Sequence, residues 1–118
     1  ARLLGDLGIP EVMVWKKNSR VCFITLFSLG VAQWKIPIND ASWGYLWMWA
    51  ENQVLAAIKL VPIGQTSGQK ILSSAIEIIP ELVSTGLSLN DEDIGYTAPG
   101  QGIASALHET QYTRLFRS

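Results

Sequence analysis

Two short stretches contain residue types that could do chemistry at the spacing of known catalytic motifs. GQTSGQK, from Gly64 to Lys70, begins like a phosphate-binding loop, in which backbone N–H groups and a lysine hold a nucleotide phosphate. That motif needs four residues between its glycines and a lysine directly after the second glycine. Here three residues intervene, and Gln69 separates Gly68 from Lys70. The stretch therefore predicts the start of a helix rather than a nucleotide site.

The stretch HETQY, from His108 to Tyr112, begins like the helix of a zinc protease, but a tyrosine stands where the second histidine is required. The chain has one histidine and one cysteine, Cys22, so these side chains alone cannot build an ordinary zinc or nickel site. The sequence contains no G-x-S-x-G elbow, which would supply a nucleophilic serine as a partner for His108. The acidic stretch from Asn90 to Asp93 lacks the spacing of a calcium loop. We expect no catalytic residue, no bound metal and no cofactor.

The composition indicates a small protein that works with a partner. Of 118 residues, 48% are hydrophobic and 16% are charged, and the net charge is −1. Without a basic patch, nucleic-acid binding lacks its main driving force. The lone Cys22 excludes a disulfide framework and favours a reducing, cytoplasmic location. The apolar run from Ala41 to Ile63 is long enough to span a membrane, but polar residues at its centre argue against that, so we expect no membrane insertion.

Hydrophobic periodicity predicts a single all-α domain over residues 1–118, a helical bundle of about four to five helices joined by short Pro/Gly turns. A loop is expected from Ile9 to Asn18. The predicted helices are the end of a helix at Ala1–Asp6, then Ser19–Gln33, Ala41–Val61, a striped helix through Ile71, Leu72, Ala75, Ile78, Ile79, Leu82 and Val83, and Gly102–Leu107.

Capping residues suggest where these helices begin and end. Ser19 is a candidate N-cap for the second helix, Asn39 or Asp40 for the third, and Thr66 or Ser67 for the striped helix. The Asn90–Asp93 carboxylates are expected to cap the last helix. Pro80 should kink the striped helix and Gly86 should end it, while Pro37 should close the second helix. Because the third helix is apolar on nearly every side, it is expected at the centre of the bundle.

Two features remain after the core is assigned. Lys59 near the end of the apolar helix either complements the helix C-terminus or presents a positive charge to a partner. The aromatic residues Trp43, Tyr45 and Trp47 are expected in the core, and part of the cluster could face another subunit.

The tail from His108 to Ser118 combines aromatic and arginine side chains, the types that anchor interfaces. One hypothesis is that a partner binds it, with Tyr112 and Phe116 on one helical face and Arg114 and Arg117 pairing with acids. The alternative is that the tail folds back on its own core.

Three segments together resemble the C-terminal half of the urease accessory protein family UreF: YLWMWAENQVLAAIKLVPIGQTSGQKIL, NDEDIG followed by APG, and IASALHETQYTRLFRS. The tail and the KLVP-x-GQ segment are the most specific parts. The likeness runs from about Trp43 to Ser118, and the first forty residues fit it loosely. The resemblance implies that these residues are the C-terminal part of a longer UreF-like domain.

The resemblance also implies a function. The family is an all-α scaffold without catalysis of its own that binds UreD (also called UreH) and the GTPase UreG, regulates the GTPase step and delivers nickel to apo-urease, typically as a homodimer. Within that role Lys59 would influence the GTPase, and Arg114 or Arg117 would recruit UreG. The implied partner-binding residues are Lys59, His108, Glu109, Tyr112, Arg114, Leu115, Phe116 and Arg117.

A different class of function stays open on the residues alone. A small all-α hydrolase or nucleotide enzyme could use His108 or the Gly64–Lys70 loop, and nucleotide hydrolysis by the purified chain without UreG would favour it.

Overall fold

The computed structural model of the chain describes residues 1–15, 21–95 and 98–112. Over these ranges the regular structure is helical and contains no strand, so the predicted all-α fold is confirmed. The residues fall into two units, Ala1–Leu87 and Ser88–Ser118. The α-helices are α1 (Arg2–Asp6), α2 (Phe23–Gln33), α3 (Ile38–Leu60), α4 (Gln65–Ser88) and α5 (Pro99–Glu109), with 3-10 helices at Pro10–Val14 and Asp91–Asp93.

The segment after α1 is more ordered than the sequence suggests. A loop was expected from Ile9 onward, but Pro10–Val14 forms a 3-10 helix, so that expectation was wrong there. The fixed φ of Pro10 suits the first turn of a helix, where no N–H donor is needed. Ile9 and Val12 are the most deeply buried of the described side chains, each about 1% exposed. This short helix therefore anchors the start of the chain.

Helix α2 is shorter than predicted at its start and ends where predicted. Cys22 is extended (φ −86°, ψ 161°) and precedes the first helical residue, Phe23; the expected cap, Ser19, lies outside the described residues. At the other end the backbone reverses before Pro37. Lys35 adopts a left-handed φ of 53°, and the N–H of Ile36 donates to the carbonyl of Val31 at 3.0 Å. This is a Schellman motif, with lysine where glycine is preferred.

Helix α3 corrects two expectations. It begins at Ile38 with Pro37 at the N-cap position, so Asn39 and Asp40 lie inside the first turn and do not cap it. Burial at the centre of a bundle was also wrong: its only buried residues are Ala41 and Val54. Burial of an apolar helix is favourable, but the sequence of that helix does not show which other helices pack against it.

Helix α4 is longer than predicted. It begins at Gln65, so neither Thr66 nor Ser67 is its cap, and it runs through Pro80 and past Gly86 to Ser88. Only part of its apolar stripe is used. Gly68, Leu72, Ile79 and Val83 are buried, whereas Ile71, Ile78 and Leu82 are each about half exposed.

Close contacts show how the helices of the first unit pack. A Cβ placed on Gly68 would lie 3.2 Å or less from both Val54 and Ile58, so α4 crosses α3 at this glycine. The rings of Phe27 and Tyr45 meet edge to face at 5.3 Å and join α2 to α3. These contacts define a thin core.

The second unit contains the acidic 3-10 helix Asp91–Asp93, and Asn90, which precedes it, donates from Nδ2 to Asp93 Oδ2 at 3.2 Å. Its carboxylates were expected to cap α5, but that expectation was wrong. The N-cap residue of α5 is Ala98, and no side chain makes a capping hydrogen bond there. With Pro99 at its start, α5 is longer than the predicted Gly102–Leu107. No described residue of this helix is buried.

In the described part of the chain, α4 is the one helix long and apolar enough to cross a membrane, judged by length and composition alone, and 17% of its apolar window is buried. The core helix of a soluble protein meets the same criterion, so this is weak evidence. Lys70, Glu77 and Glu81 would each carry a cost inside a bilayer.

Candidate partner-binding surface

Described residues of the Ala1–Leu87 unit line two apolar grooves. The first groove, about 530 Å³ in volume, lies among α1, α2 and the start of α3. Asp40 is the one charged side chain among the described residues that line it. Its principal lining residues are Leu4, Leu7, Leu26, Phe27, Val31 and Trp34.

The second groove, about 560 Å³ in volume, lies among α2, α3 and the last turns of α4. None of the described residues that line it is charged. Its principal lining residues are Ile24, Phe27, Val31, Leu46, Leu82 and Leu87.

The two grooves share one wall. Phe27, Val31 and Ala41 line both, so the grooves lie side by side along the α2–α3 pair. The ring centroid of Phe23 lies 6.1 Å from that of Phe27 and 6.4 Å from that of Tyr45, so the three aromatic rings pack together beside the grooves. Among the described residues of this unit, none covers either flank of α2 at the two grooves. It can bind apolar side chains by excluding water, and each buried CH₂ would contribute about 0.8 kcal/mol.

The described residues offer no polar constellation for catalysis. None of their polar or charged side chains is buried, and no group of three or more His, Cys, Asp or Glu could hold a metal ion. Of the Gly64–Lys70 stretch, Gln65 to Lys70 form the start of α4, as the helix-start interpretation predicts. His108 Nδ1 lies 3.0 Å from Gln111 Oε1, a contact between two exposed side chains.

Cys22 is the exposed residue just before α2. Its sulfur lies 3.1 Å from the hydroxyl of Thr25, and this hydrogen bond lowers the pKa of the thiol below its usual value. A hydrogen bond to the sulfur favours the thiolate, which is the reactive form.

The predicted partner-binding residues fall into both units. Lys59 is exposed in the last turn of α3, where a cation complements the helix C-terminus. His108 and Glu109 end α5, and Tyr112 lies beyond the helix, fully exposed. His108, Glu109 and Tyr112 lie close together because they are near neighbours in the sequence. Arg114, Leu115, Phe116 and Arg117 lie outside the described residues, so their assignment stays a prediction.

The aromatic residues of α3 are not the core cluster that was expected. Trp43 and Trp47 stack with ring centroids 6.0 Å apart, and both are half-buried, as is Tyr45. Trp49 is exposed. The sequence did not identify the grooves, although the apolar surplus signalled that more surface would remain than the chain could cover.

Comparison with protein families gives a consistent match. A family model described as UreF matches residues 1–76, which includes the first forty residues where the motif likeness was loose. A "Urease accessory protein UreF" of Alkalilimnicola ehrlichii is 52% identical over 118 residues, covering all of this chain and 52% of the relative. No solved structure matches the chain.

Two further relatives have the same relation to the chain. "Urease accessory protein UreF" of Hahella chejuensis is 41% identical over 118 residues, covering all of this chain and 53% of the relative. "Urease accessory protein UreF 2" of Brucella anthropi is 43% identical over 116 residues, covering 98% of this chain and 51% of the relative. The chain thus spans about half the length of the curated relatives it matches.

Proposed function

This chain belongs to the UreF family of urease accessory proteins, and from that premise we propose that it acts as a non-catalytic scaffold in the delivery of nickel to apo-urease. In this role it binds UreD/UreH and regulates the GTPase UreG. Nickel is cargo of the assembly and is not held by this chain alone. The same premise leads us to propose a cytoplasmic homodimer that binds neither nucleic acid nor membrane.

The observation that carries this proposal is the exposure of α5 and of the three described residues after it, Thr110 to Tyr112. Every described residue from Pro99 to Tyr112 is exposed. Ile103 and Leu107 lie four residues apart on one face of the helix, each 64% exposed. An isolated helix of 11 residues is marginal in water, so contact with another protein would stabilise it.

The apolar and the charged side chains of this region are proposed to bind different partners. The apolar face of α5 and Tyr112 suit UreD/UreH, where burial of large side chains supplies the affinity. Arg114 and Arg117 suit UreG, because guanidinium groups pair with carboxylates in a fixed geometry. Lys59 belongs to the other unit and is proposed to influence the GTPase step separately.

A pull-down tests the assignment of the arginines. Tagged chain is mixed with UreD/UreH and UreG, and retention is compared with that of the Arg114→Ala/Arg117→Ala variant and each single variant. We expect the double variant to retain UreD/UreH and lose UreG. Arg2→Ala is the matched control, because Arg2 is an exposed arginine on α1 with a side chain 93% accessible.

The contrary results are equally specific. If the double variant retains UreG as well as the unaltered chain does, the tail arginines do not recruit the GTPase. If the purified chain hydrolyses GTP without UreG, the non-catalytic role is wrong. If Arg2→Ala also loses UreG, the effect reflects net charge rather than the tail.

A further inference from the structure

We propose that Pro80 is a hinge in α4, about which residues 81–87 move relative to the part of the helix that precedes them. The motion lies within the Ala1–Leu87 unit and changes the width of the second groove. Such a motion does not depend on the partners proposed above, and the pull-down results would stand without it.

Proline interrupts the hydrogen bonding of α4 at one point. Pro80 has no N–H group, so it cannot donate to the carbonyl of Ile76, four residues earlier, and its ring crowds that carbonyl. Both residues are exposed, Ile76 by 44%, so water can approach this break. A helix whose backbone hydrogen bonding is interrupted by proline bends there more easily than elsewhere.

The part of α4 before Pro80 is fixed on α3. Gly68 lies against Val54 and Ile58, since a Cβ placed on it would be 3.2 Å or less from both side chains. Further along the same face of the helix, Leu72 is 6% exposed and Ile79 is 3% exposed. This packing holds residues 65–79 in place.

The part of α4 after Pro80 is held less firmly. Among residues 81–87 only Val83 is buried, at 8% exposure, whereas Leu82 is 51% exposed. Seven residues form about two helical turns, which are not stable alone in water. The described residues of α4 that line the second groove all come after the proline: Leu82, Val83, Gly86 and Leu87.

The second groove therefore has one movable wall. The opposite wall belongs to α2 and α3, where the rings of Phe27 and Tyr45 meet edge to face at 5.3 Å. Bending at Pro80 moves Leu82 and Leu87 toward these rings or away from them. The groove, about 560 Å³ in the structure, thus has no single width, and the size of apolar side chain that fits it changes with the bend.

Distances between pairs of spin labels, measured by double electron–electron resonance on the 118-residue chain, test the hinge. Cys22→Ser removes the native thiol, and Gln53→Cys on α3 carries the reference label. The second label is attached through Ser84→Cys, after the proline, or through Ser73→Cys, before it. Both serines are exposed, and they lie about three helical turns apart on one face of α4.

Two further substitutions separate bending at the proline from fraying at the end of the helix. Pro80→Ala restores the backbone donor at the hinge. Gly86→Ala is the matched control, because it raises the helix propensity after the hinge without altering the proline. A Cβ at Gly86 would meet no atom within 4 Å, so the control adds no clash.

We expect the distance distribution of the Ser84 label to be at least half as wide again as that of the Ser73 label. Pro80→Ala should narrow the Ser84 distribution by at least a third and leave the Ser73 distribution unchanged. Gly86→Ala should change neither distribution. Circular dichroism checks that every labelled variant keeps its helical content.

Three results would overturn the hinge. The first is an equal width for the two labels in the chain that retains Pro80, a comparison that needs no variant of the proline. The second is an unchanged Ser84 distribution in the Pro80→Ala variant. The third is an equal narrowing by Gly86→Ala, which would assign the motion to fraying of the helix end.

Discussion

The crossing of α3 and α4 leaves no room for a side chain at Gly68, and this predicts the effect of Gly68→Val. A Cβ at this position would lie 2.5 Å from Ile58 Cδ1, 3.1 Å from Ile58 Cγ1 and 3.2 Å from Val54 Cγ1. The terminal methyl of Ile58 can rotate away, but the other two atoms are close to the α3 backbone. Valine adds two methyl groups beyond that Cβ, so the helices must separate.

Overpacking of this kind typically costs about 1–3 kcal/mol. Replacing glycine inside a helix returns a few tenths of a kcal/mol, since valine has a slightly better helix propensity. We therefore expect Gly68→Val to lower the free energy of unfolding by about 2 kcal/mol. The measurement is urea denaturation followed by circular dichroism.

Gly86→Val is the matched control, because Gly86 lies in the same helix and a Cβ there would meet no atom within 4 Å. Its effect should stay within about 0.5 kcal/mol. In an Ile58→Ala background the cost of Gly68→Val should fall by at least about 0.5 kcal/mol, since residues in contact are coupled. Equal costs at the two glycines, or an unchanged cost in that background, would refute the steric explanation.

Two further substitutions test local features of the helices. Pro80→Ala should raise the free energy of unfolding by about 1–3 kcal/mol in the same urea experiment, because proline inside α4 removes a backbone donor; no increase would mean that the surrounding packing depends on the proline. Thr25→Val should raise the pKa of Cys22, so the rate of alkylation by iodoacetamide should reach half its maximum at a higher pH, whereas Thr25→Ser should keep the original profile. An identical pH profile for Thr25→Val would show that the hydroxyl does not stabilise the thiolate.

The sequence predicted the features that depend on near neighbours in the chain. Periodicity identified the helices, and the end of α2 at Gln33 agreed with the structure. The expected start of α2 was less accurate because Cys22 is extended, a conformation that a continuous apolar run does not reveal. The N-caps of α3 and α4 were also misplaced. Several polar residues stood near each boundary, and the backbone geometry of Pro37 selected the start of α3.

Which apolar side chains remain exposed could not be predicted from the sequence. Ile71 and Leu72 are adjacent and equally apolar, yet Leu72 is buried and Ile71 is half exposed. Leu72 lies one turn after Gly68, on the face of α4 that meets Val54 and Ile58 of α3. The grooves likewise depend on residues that are distant in sequence, since Leu4 of α1 and Leu46 of α3 contribute to walls on either side of α2.

The sequence by itself determined that this protein is helical, that it carries more apolar residues than its own core uses, and that its motifs are those of the UreF family. Helix formation and motif spacing depend on contacts within a few residues, so they can be read along the chain. Only the tertiary structure decided where the unused apolar surface collects. Burial depends on which helices meet. In the described part of the first unit, α2 and α3 pack together and a groove opens on each flank of α2.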